Sequence, residues 1–166
     1  MRFTLFPDQF ATAKTDHDEP WEAICAGIAN APEYADKVSC PFISLAAYGD
    51  APNENGCLRH AENVLAITGL EGDHDAGTVS LAEAAQRASY AGLRACLYTS
   101  ASHTPERPRW RILVPLSQER PLSDRAAFMD RLNGALGGCL TPESWTRSQA
   151  FLLGRVRGVP YEAIIV

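Results

Sequence analysis

The most constraining feature of the chain is an apolar run that ends abruptly in regularly spaced acids. The run Val64–Leu70 consists mainly of β-branched and aliphatic residues and predicts a buried strand. Three acids follow at alternate positions, Glu71, Asp73 and Asp75. In an extended chain such positions share one face, so the three carboxylates would crowd together and favour a cation such as Mg²⁺ or Mn²⁺ between them. The same residues also suit a polar turn after a strand, so both interpretations stand at this point.

The length of the chain predicts one domain. Its 166 residues are enough to bury a core, and we expect an N-terminal αβ part over about residues 1–60 and a motif-bearing core over about residues 61–166. No apolar run reaches the length of a membrane span and the N-terminus has no signal pattern, so we expect a cytoplasmic protein without a membrane partner. The chain stops on an apolar strand, Ala163–Val166, which indicates a domain cut from a longer polypeptide.

The charges are distributed unevenly along the chain. Residues 1–101 carry a net charge of −8, whereas the part from Ser102 onward carries +3 and all of its nine basic residues are arginines. An acidic first half joined to an arginine-rich second half suits a site where a metal ion meets phosphates. It also suits a chain whose two halves pair with each other.

The five cysteines do not indicate a metal or redox motif. They are scattered and contain no CxxC, so buried reduced side chains are their simplest interpretation. Cys57 and His60 have the spacing of a zinc half-site, but no comparable second half-site follows.

Hydrophobic periodicity and breakers predict an α+β fold, a sheet with helices packed on one face. The predicted order is β-α-β-loop-β-α-β-β-α-β-β. The predicted strands lie at residues 1–6, 38–48, 64–70, 93–98, 110–115, 148–153 and 161–166. The predicted helices lie at residues 18–31, 80–91 and 123–136, with Ser80 and Glu83 as a capping box and Ser123 as a cap.

The order strand–helix–strand over residues 64–98 predicts a βαβ unit with two parallel strands. The carboxyl ends of parallel strands meet at one sheet edge, where ligands bind in open α/β sheets. We therefore expect the acids to meet the polar residues that follow the second strand, Ser100, Ser102 and His103. Arg109 and Arg111 alternate with apolar residues on the next strand, so they share a face near the same edge.

This set of side chains is what a nucleoside triphosphate site requires. Carboxylates hold divalent ions, the ions bridge phosphate oxygens, and arginine or histidine neutralises the remaining charge. Alternatives remain for each group: His103 also suits a hydrolase base, although no Gly-x-Ser-x-Gly elbow accompanies it, or a loop cap. Two other interpretations of the arginines stay open: exposed charges on the surface of a strand, or ion-pair partners of Glu106 and Glu119.

Four blocks of the chain together resemble the archaeo-eukaryotic primase superfamily, and most closely the primase-polymerase domains of phages and plasmids. The blocks are Gly69–Asp75, Tyr98–Pro105, Arg109–Ser117 and Glu143–Phe151. The resemblance implies an RRM-like core sheet with helices packed on one face and an N-terminal αβ extension. It also implies template-directed nucleotidyl transfer (primer synthesis or DNA polymerisation) with Mg²⁺ or Mn²⁺. The implied partners are a single-stranded DNA template, nucleoside triphosphates, and a helicase or helical domain in the full-length chain.

The resemblance also implies roles for individual residues. The catalytic carboxylates fall on Glu71, Asp73 and Glu143, with Asp75 as a further metal ligand in a competing register. Glu143 stands in a segment, Leu140–Ser144, that departs from the usual apolar-Asp form of this motif. The nucleotide and phosphate contacts fall on Ser102, His103, Arg109, Arg111, Ser148, Gln149 and Arg155.

Two rival functions follow from the same sequence. One is a non-catalytic nucleic-acid-binding or replication-initiator module of the same fold. The other is a rolling-circle nicking endonuclease, which needs a paired-histidine metal motif and a tyrosine nucleophile. The chain has no His-apolar-His, and its tyrosines lack a supporting pattern, so this rival ranks last.

Overall fold

Eleven strands and three α-helices make up the fold in a computed structural model that describes residues 1–166. The helices are α1 (Trp21–Ala29), α2 (Leu81–Tyr90) and α3 (Arg125–Ala135). The strands are β1 (Arg2–Phe6), β2 (Thr15–Asp18), β3 (Glu33–Tyr34), β4 (Phe42–Ser44), β5 (Ala46–Tyr48), β6 (Val64–His74), β7 (Cys96–Thr99), β8 (Trp110–Arg120), β9 (Phe151–Leu152), β10 (Arg155–Val156) and β11 (Ala163–Ile165). The predicted α+β class is confirmed.

The strands form a five-stranded sheet in the order β11-β7-β8-β6-β5, a four-stranded sheet in the order β2-β1-β4-β9, and a short pair of β10 with β3. Strands β6 and β7 are not neighbours, contrary to the simple βαβ unit expected from the sequence. Strand β8 lies between them and is antiparallel to both, so β6 and β7 remain parallel to each other. This split β-α-β arrangement still brings the carboxyl ends of β6 and β7 to one edge.

Strand β6 is longer than its apolar run predicts. It continues to His74 because β8 pairs with it from Gly69 to that residue. The prediction that the strand ends at Leu70 is therefore wrong, and so is the polar-turn interpretation of Glu71 and Asp73. Both acids are strand residues, and the turn begins only after them.

The predicted strand at residues 38–48 is divided between the two large sheets. Leu45 separates β4, which pairs with β1, from β5, which pairs with β6. The carbonyl of Leu45 accepts hydrogen bonds from the N–H groups of Thr68 and Gly69, at 2.9 and 3.0 Å. These two hydrogen bonds connect the four-stranded sheet to the middle of β6. The predicted strands at 148–153 and 161–166 are also shorter in the structure, as β9 and β11.

The prediction that the helices pack on one face is correct for the core helices only, because α1 covers the opposite face of the five-stranded sheet. The core helices α2 and α3 pack on the face that carries Leu70 and Ile112, and α1 of the N-terminal part packs on the face of Tyr98 and Leu113. The side chain of Ser80 caps α2 as predicted, accepting the N–H of Glu83 at 3.1 Å, but the capping box is not completed because the carboxylate of Glu83 accepts from Nη2 of Arg87 at 2.7 Å instead. The predicted cap at Ser123 is wrong, because a short 3₁₀ turn, Leu122–Asp124, precedes α3. No helix of this fold has the length and apolar character that crossing a membrane requires.

Candidate active site at the carboxyl ends of the central strands

The register of the central sheet places Asp73 directly opposite Arg111, and Arg111 opposite Tyr98. The Oδ1 atom of Asp73 accepts a hydrogen bond from the Nε–H of Arg111 at 3.2 Å. The side chain of Asp73 is 12% exposed and that of Arg111 is 13% exposed. The guanidinium of Arg111 also donates to the carbonyl of Leu152 at 2.9 Å and lies 5.1 Å from the ring centre of Phe151. Strand pairing therefore delivers one acid and one cation to the same sheet edge, as the sequence predicts.

A second acid–arginine pair lies just beyond the strand ends. An Oδ1 atom of Asp75 is 3.7 Å from Nε of Arg109, which is an ion pair without a hydrogen bond. That Nε group is shielded from solvent and has no hydrogen-bond acceptor. An unpaired buried N–H of a guanidinium is costly unless an anion satisfies it, so this donor fits a phosphate or carboxylate oxygen of a ligand.

The loop after β7 brings His103 against this pair. Its Nδ1 accepts the backbone N–H of Arg109 at 3.2 Å, and the ring is half-buried. Ser102 is exposed, and its N–H donates to Oγ of Ser100 at 3.3 Å. The structure thus brings together the predicted phosphate contacts of the β7 and β8 segments.

The carboxylate of Asp73 experiences competing electrostatic effects. Burial raises its pKa above the ordinary range, and the guanidinium of Arg111 opposes that shift. The carboxylates of Asp75 and Glu143 raise the pKa of Asp73 further, because like charges nearby disfavour ionisation. A cation bound at this edge would offset that repulsion.

Glu143 reaches this edge through a 3₁₀ turn, Pro142–Trp145, which occupies the part of β6 that β5 leaves uncovered. The carbonyl of Asp73 accepts the N–H of Thr141 at 2.8 Å. The N–H of Asp73 donates to Oγ of Ser144 at 2.9 Å. Glu143, whose side chain is exposed, therefore lies on a segment tied to the strand of Asp73.

Glu71 differs from the other acids because it is sealed in the core. Only 2% of the residue is exposed. Its carboxylate accepts from the N–H of Leu45, from Oγ of Ser44 at 3.1 Å and from Nη2 of Arg125 at 3.3 Å. Burial raises its pKa, and the charge of Arg125 and these hydrogen bonds oppose the shift. Alternation correctly places Glu71 and Asp73 on one face, but the link between β4 and β5 covers that face at Glu71.

The remaining predicted contacts lie on the segments that follow the turn of Glu143. Gln149 donates from Nε2 to the carbonyl of Glu143 at 3.1 Å, and Ser148 beside it is half-buried. Arg155 is exposed on β10, which pairs with β3. Gln149 therefore lies beside the turn Pro142–Trp145, whereas Arg155 lies on the separate pair of β10 with β3.

The four predicted metal ligands do not form a closed cage. No three His, Cys, Asp or Glu side chains of residues 1–166 lie close enough together to hold a metal ion. The chemistry of the carboxylates at the edge nevertheless fits Mg²⁺ or Mn²⁺, because both ions prefer oxygen ligands and keep several waters. The acids of this edge are Asp73, Asp75 and Glu143, and Asp73 and Asp75 are each paired with an arginine.

His74 is an important residue of this region that the sequence reasoning missed. It is fully buried and stacks on Trp110, with ring centres 4.9 Å apart. Its Nδ1 donates to the carbonyl of Cys139 at 2.7 Å, and its Nε2 accepts the N–H groups of Thr78 and Val79, both at 3.2 Å. Through these contacts the ring connects three other segments to the end of β6, next to the acids. Only its position between Asp73 and Asp75 hinted at such a role.

The fold also resembles that of a solved protein. The AEP domain of the primase-polymerase from cyanophage S-2L superposes with a TM-score of 0.50 at 10% sequence identity, over 98% of this chain and 79% of that one. The polymerase domain of Ligase D from Mycobacterium tuberculosis, solved in complex with DNA, matches with a TM-score of 0.46 at 15% identity, over 70% of this chain and 47% of that one. No protein-family model and no curated protein matches the sequence. The chain therefore has a primase-polymerase-like fold, in agreement with the resemblance of its sequence blocks.

Proposed function

We propose that this chain is a metal-dependent nucleotidyltransferase domain of the primase-polymerase type, which extends a primer on a DNA template. The observation that carries the proposal is the pairing of Asp73 with Arg111 and of Asp75 with Arg109 at one sheet edge. Anionic groups suited to a divalent ion and cationic groups suited to phosphates alternate there within a few ångströms. The primase-polymerase-like fold supports the same function. On this proposal the partners are single-stranded DNA and nucleoside triphosphates.

Asp73, Asp75 and Glu143 are the residues that would hold Mg²⁺ or Mn²⁺. When bound, such ions lower the pKa of a primer 3′-hydroxyl and stabilise the leaving pyrophosphate. Glu71 is left out of this set because both oxygens of its carboxylate already accept hydrogen bonds inside the core.

The positive groups would bind the triphosphate. Arg109 offers a shielded N–H without an acceptor, and the ring of His103 accepts the backbone N–H of the same residue. Arg111 would move from Asp73 to a phosphate oxygen when a metal ion takes the carboxylate. Ser102 is exposed on the same loop and is available for a further hydrogen bond, while Gln149 lies by the turn of Glu143.

A primer-extension assay tests the proposal. The purified chain is incubated with Mn²⁺ or Mg²⁺, a primed single-stranded template and deoxynucleoside triphosphates, beside the variants Asp73→Asn and Asp50→Asn. The side chain of Asp50 is 92% exposed and paired with Lys14, so its variant is a matched control for the loss of one carboxylate. We expect incorporation by the wild type and by the control and none by Asp73→Asn. Equal incorporation by all three would place the chemistry elsewhere.

A non-catalytic nucleic-acid-binding module of the same fold is the second candidate. The observation in its favour is that each of the acids Glu71, Asp73 and Asp75 already has an arginine partner. Such a module would bind single-stranded DNA with the same affinity with or without divalent ions and would incorporate no nucleotide. Binding measured by fluorescence anisotropy beside the extension assay separates the two functions.

A further inference from the structure

A fully buried ion pair joins strand β6 to the first turn of α3. The side chains of Glu71 and Arg125 are each 3% exposed, and Oε2 of Glu71 accepts from Nη2 of Arg125 at 3.3 Å. Burying two charges costs several kilocalories per mole per ion, so such a pair persists only where further hydrogen bonds complete it. Here the N–H of Leu45 and the hydroxyl of Ser44 donate these further hydrogen bonds to the carboxylate of Glu71.

The other amino group of Arg125 reaches the turn that carries Glu143. Its Nη1 donates to the carbonyl of Ser144 at 2.7 Å. Ser144 is fully buried, and its Oγ accepts the N–H of Asp73 at 2.9 Å. One guanidinium therefore ties the middle of β6 to the residue next to Glu143, and that residue is in turn tied to Asp73.

We propose that Glu71 and Arg125 are positioning residues, which hold the turn Pro142–Trp145 so that Glu143 stands beside Asp73. Glu71 in this role does not bind the metal. The proposal rests on the proposed function, because it assigns Asp73 and Glu143 to the cation. It differs from the sequence-based expectation, in which Glu71 and Asp73 are equivalent ligands.

The geometry favours positioning over ligation by Glu71. A metal ligand at this position would have to release Arg125, and the released cation would remain buried without a counter-charge, with the carbonyl of Ser144 as its acceptor. Asp73, by contrast, keeps 12% of its side chain exposed, and its backbone N–H is tied through Ser144 to the turn that carries Glu143. The two carboxylates are two residues apart on one strand, yet only the second opens toward solvent.

The variant Arg125→Met tests the proposal through the sign of its effect on Mn²⁺ affinity. If Glu71 is a ligand, removing its arginine frees the carboxylate and removes a repelling positive charge, so the affinity for Mn²⁺ rises. If the pair positions the turn, the affinity falls, by about tenfold as for other residues that orient metal ligands. Mn²⁺ binding to the metal-free chain is measured by electron paramagnetic resonance, without substrate.

Amide hydrogen exchange provides the second measurement. We expect Arg125→Met to accelerate exchange at residues 141–146 and at the N–H of Asp73, while α2 retains its wild-type rates. Arg125→Lys preserves the ion pair with Glu71 but does not span both partners, so it gives an intermediate change in both measurements. If Arg125→Met does not fold, as judged by circular dichroism, Arg125→Lys decides by the same two measurements.

Failure of the positioning role differs from failure of the proposed function. A rise in Mn²⁺ affinity, or unchanged exchange at residues 141–146, overturns the positioning role. A wild-type chain that binds no Mn²⁺ overturns the proposed function, and the exchange rates then still decide whether Arg125 holds the turn.

Discussion

Asp73 and Arg111 face each other across the pair β6–β8, with Oδ1 and Nε 3.2 Å apart, at the edge where the carboxyl ends of two parallel strands meet. A divalent ion can reach the carboxylate only in competition with this guanidinium. Nucleotide phosphates offer Arg111 an alternative partner, so the exchange would be easiest when ion and nucleotide arrive together. The two ligands of the proposed reaction should therefore bind with positive coupling.

The unpaired donor of Arg109 predicts a specific loss of nucleotide affinity. We expect Arg109→Gln to weaken binding of a non-hydrolysable nucleoside triphosphate by about tenfold or more, because a hydrogen bond to a charged group contributes about 1.5–3 kcal/mol. Isothermal titration calorimetry in the presence of Mn²⁺ measures the change. Arg157→Gln serves as the control, since the side chain of Arg157 is 74% exposed and paired with Glu33. The same affinity for both variants would remove Arg109 from the site.

The hydrogen bonds of the buried His74 ring predict that this residue stabilises the fold. His74→Phe keeps the stacking on Trp110 but leaves the N–H groups of Thr78 and Val79 without their acceptor. We expect the free energy of unfolding to fall by about 3 kcal/mol, since an unsatisfied buried group costs about 1–3 kcal/mol and the change removes the partners of the buried N–H of Val79 and of the carbonyl of Cys139. Urea denaturation measures it. His17→Phe, at a histidine that likewise stacks on an aromatic ring, that of Phe3, but whose Nε2 has no hydrogen-bond partner, should leave the midpoint nearly unchanged.

Two glycines should respond in opposite directions to alanine. A Cβ on Gly69 would lie 2.7 Å from the carbonyl oxygen of Val114 and would overlap the side chain of Leu45, whereas a Cβ on Gly27 in α1 would meet nothing within 4 Å. We expect Gly69→Ala to destabilise the fold by about 1–3 kcal/mol through overpacking. Gly27→Ala should stabilise it by about 0.5–1 kcal/mol through helix propensity. Thermal and urea unfolding of both variants check these signs.

The buried tyrosines predict a loss of stability at alkaline pH. Burial raises the pKa of Tyr48 and of Tyr98 above the ordinary value. The folded chain therefore keeps protons that the unfolded chain releases above about pH 10, and stability falls as the pH rises, by about 1.4 kcal/mol per pH unit for each tyrosine. Urea unfolding between about pH 9 and pH 11 measures the slope. Tyr98→Phe should reduce it, and an unchanged slope would assign the effect to other groups.

Local chemistry accounts for the elements that the sequence predicted well. Ser80 starts α2 because its side chain satisfies a free N–H of the first turn. Arg109 and Arg111 fall on one side of the chain because strand residues alternate between faces. The resemblance of four blocks correctly indicated a primase-polymerase-like fold, which the superposition on the cyanophage domain confirms.

Sequence reasoning was less successful where distant segments meet. Strand β8 inserts between β6 and β7, which no local pattern indicates. The apolar run at residues 38–48 is interrupted at Leu45 because its first part pairs with β1 and its second part pairs with β6. His74 and Arg125 gain their importance only from partners such as Cys139 and Ser144, which lie far along the chain.

By itself, the sequence determined that acids at alternate positions follow an apolar run and that arginines and a histidine come later along the chain. Period-two alternation is a property of the extended backbone, so it placed Glu71 and Asp73 on one face without knowledge of the fold. Only the tertiary structure decided that Leu45 and Arg125 enclose Glu71 while Asp73 keeps a path to solvent. The physical reason is that burial and charge pairing depend on which remote segment covers a face, and alternation along one strand contains no information about that segment.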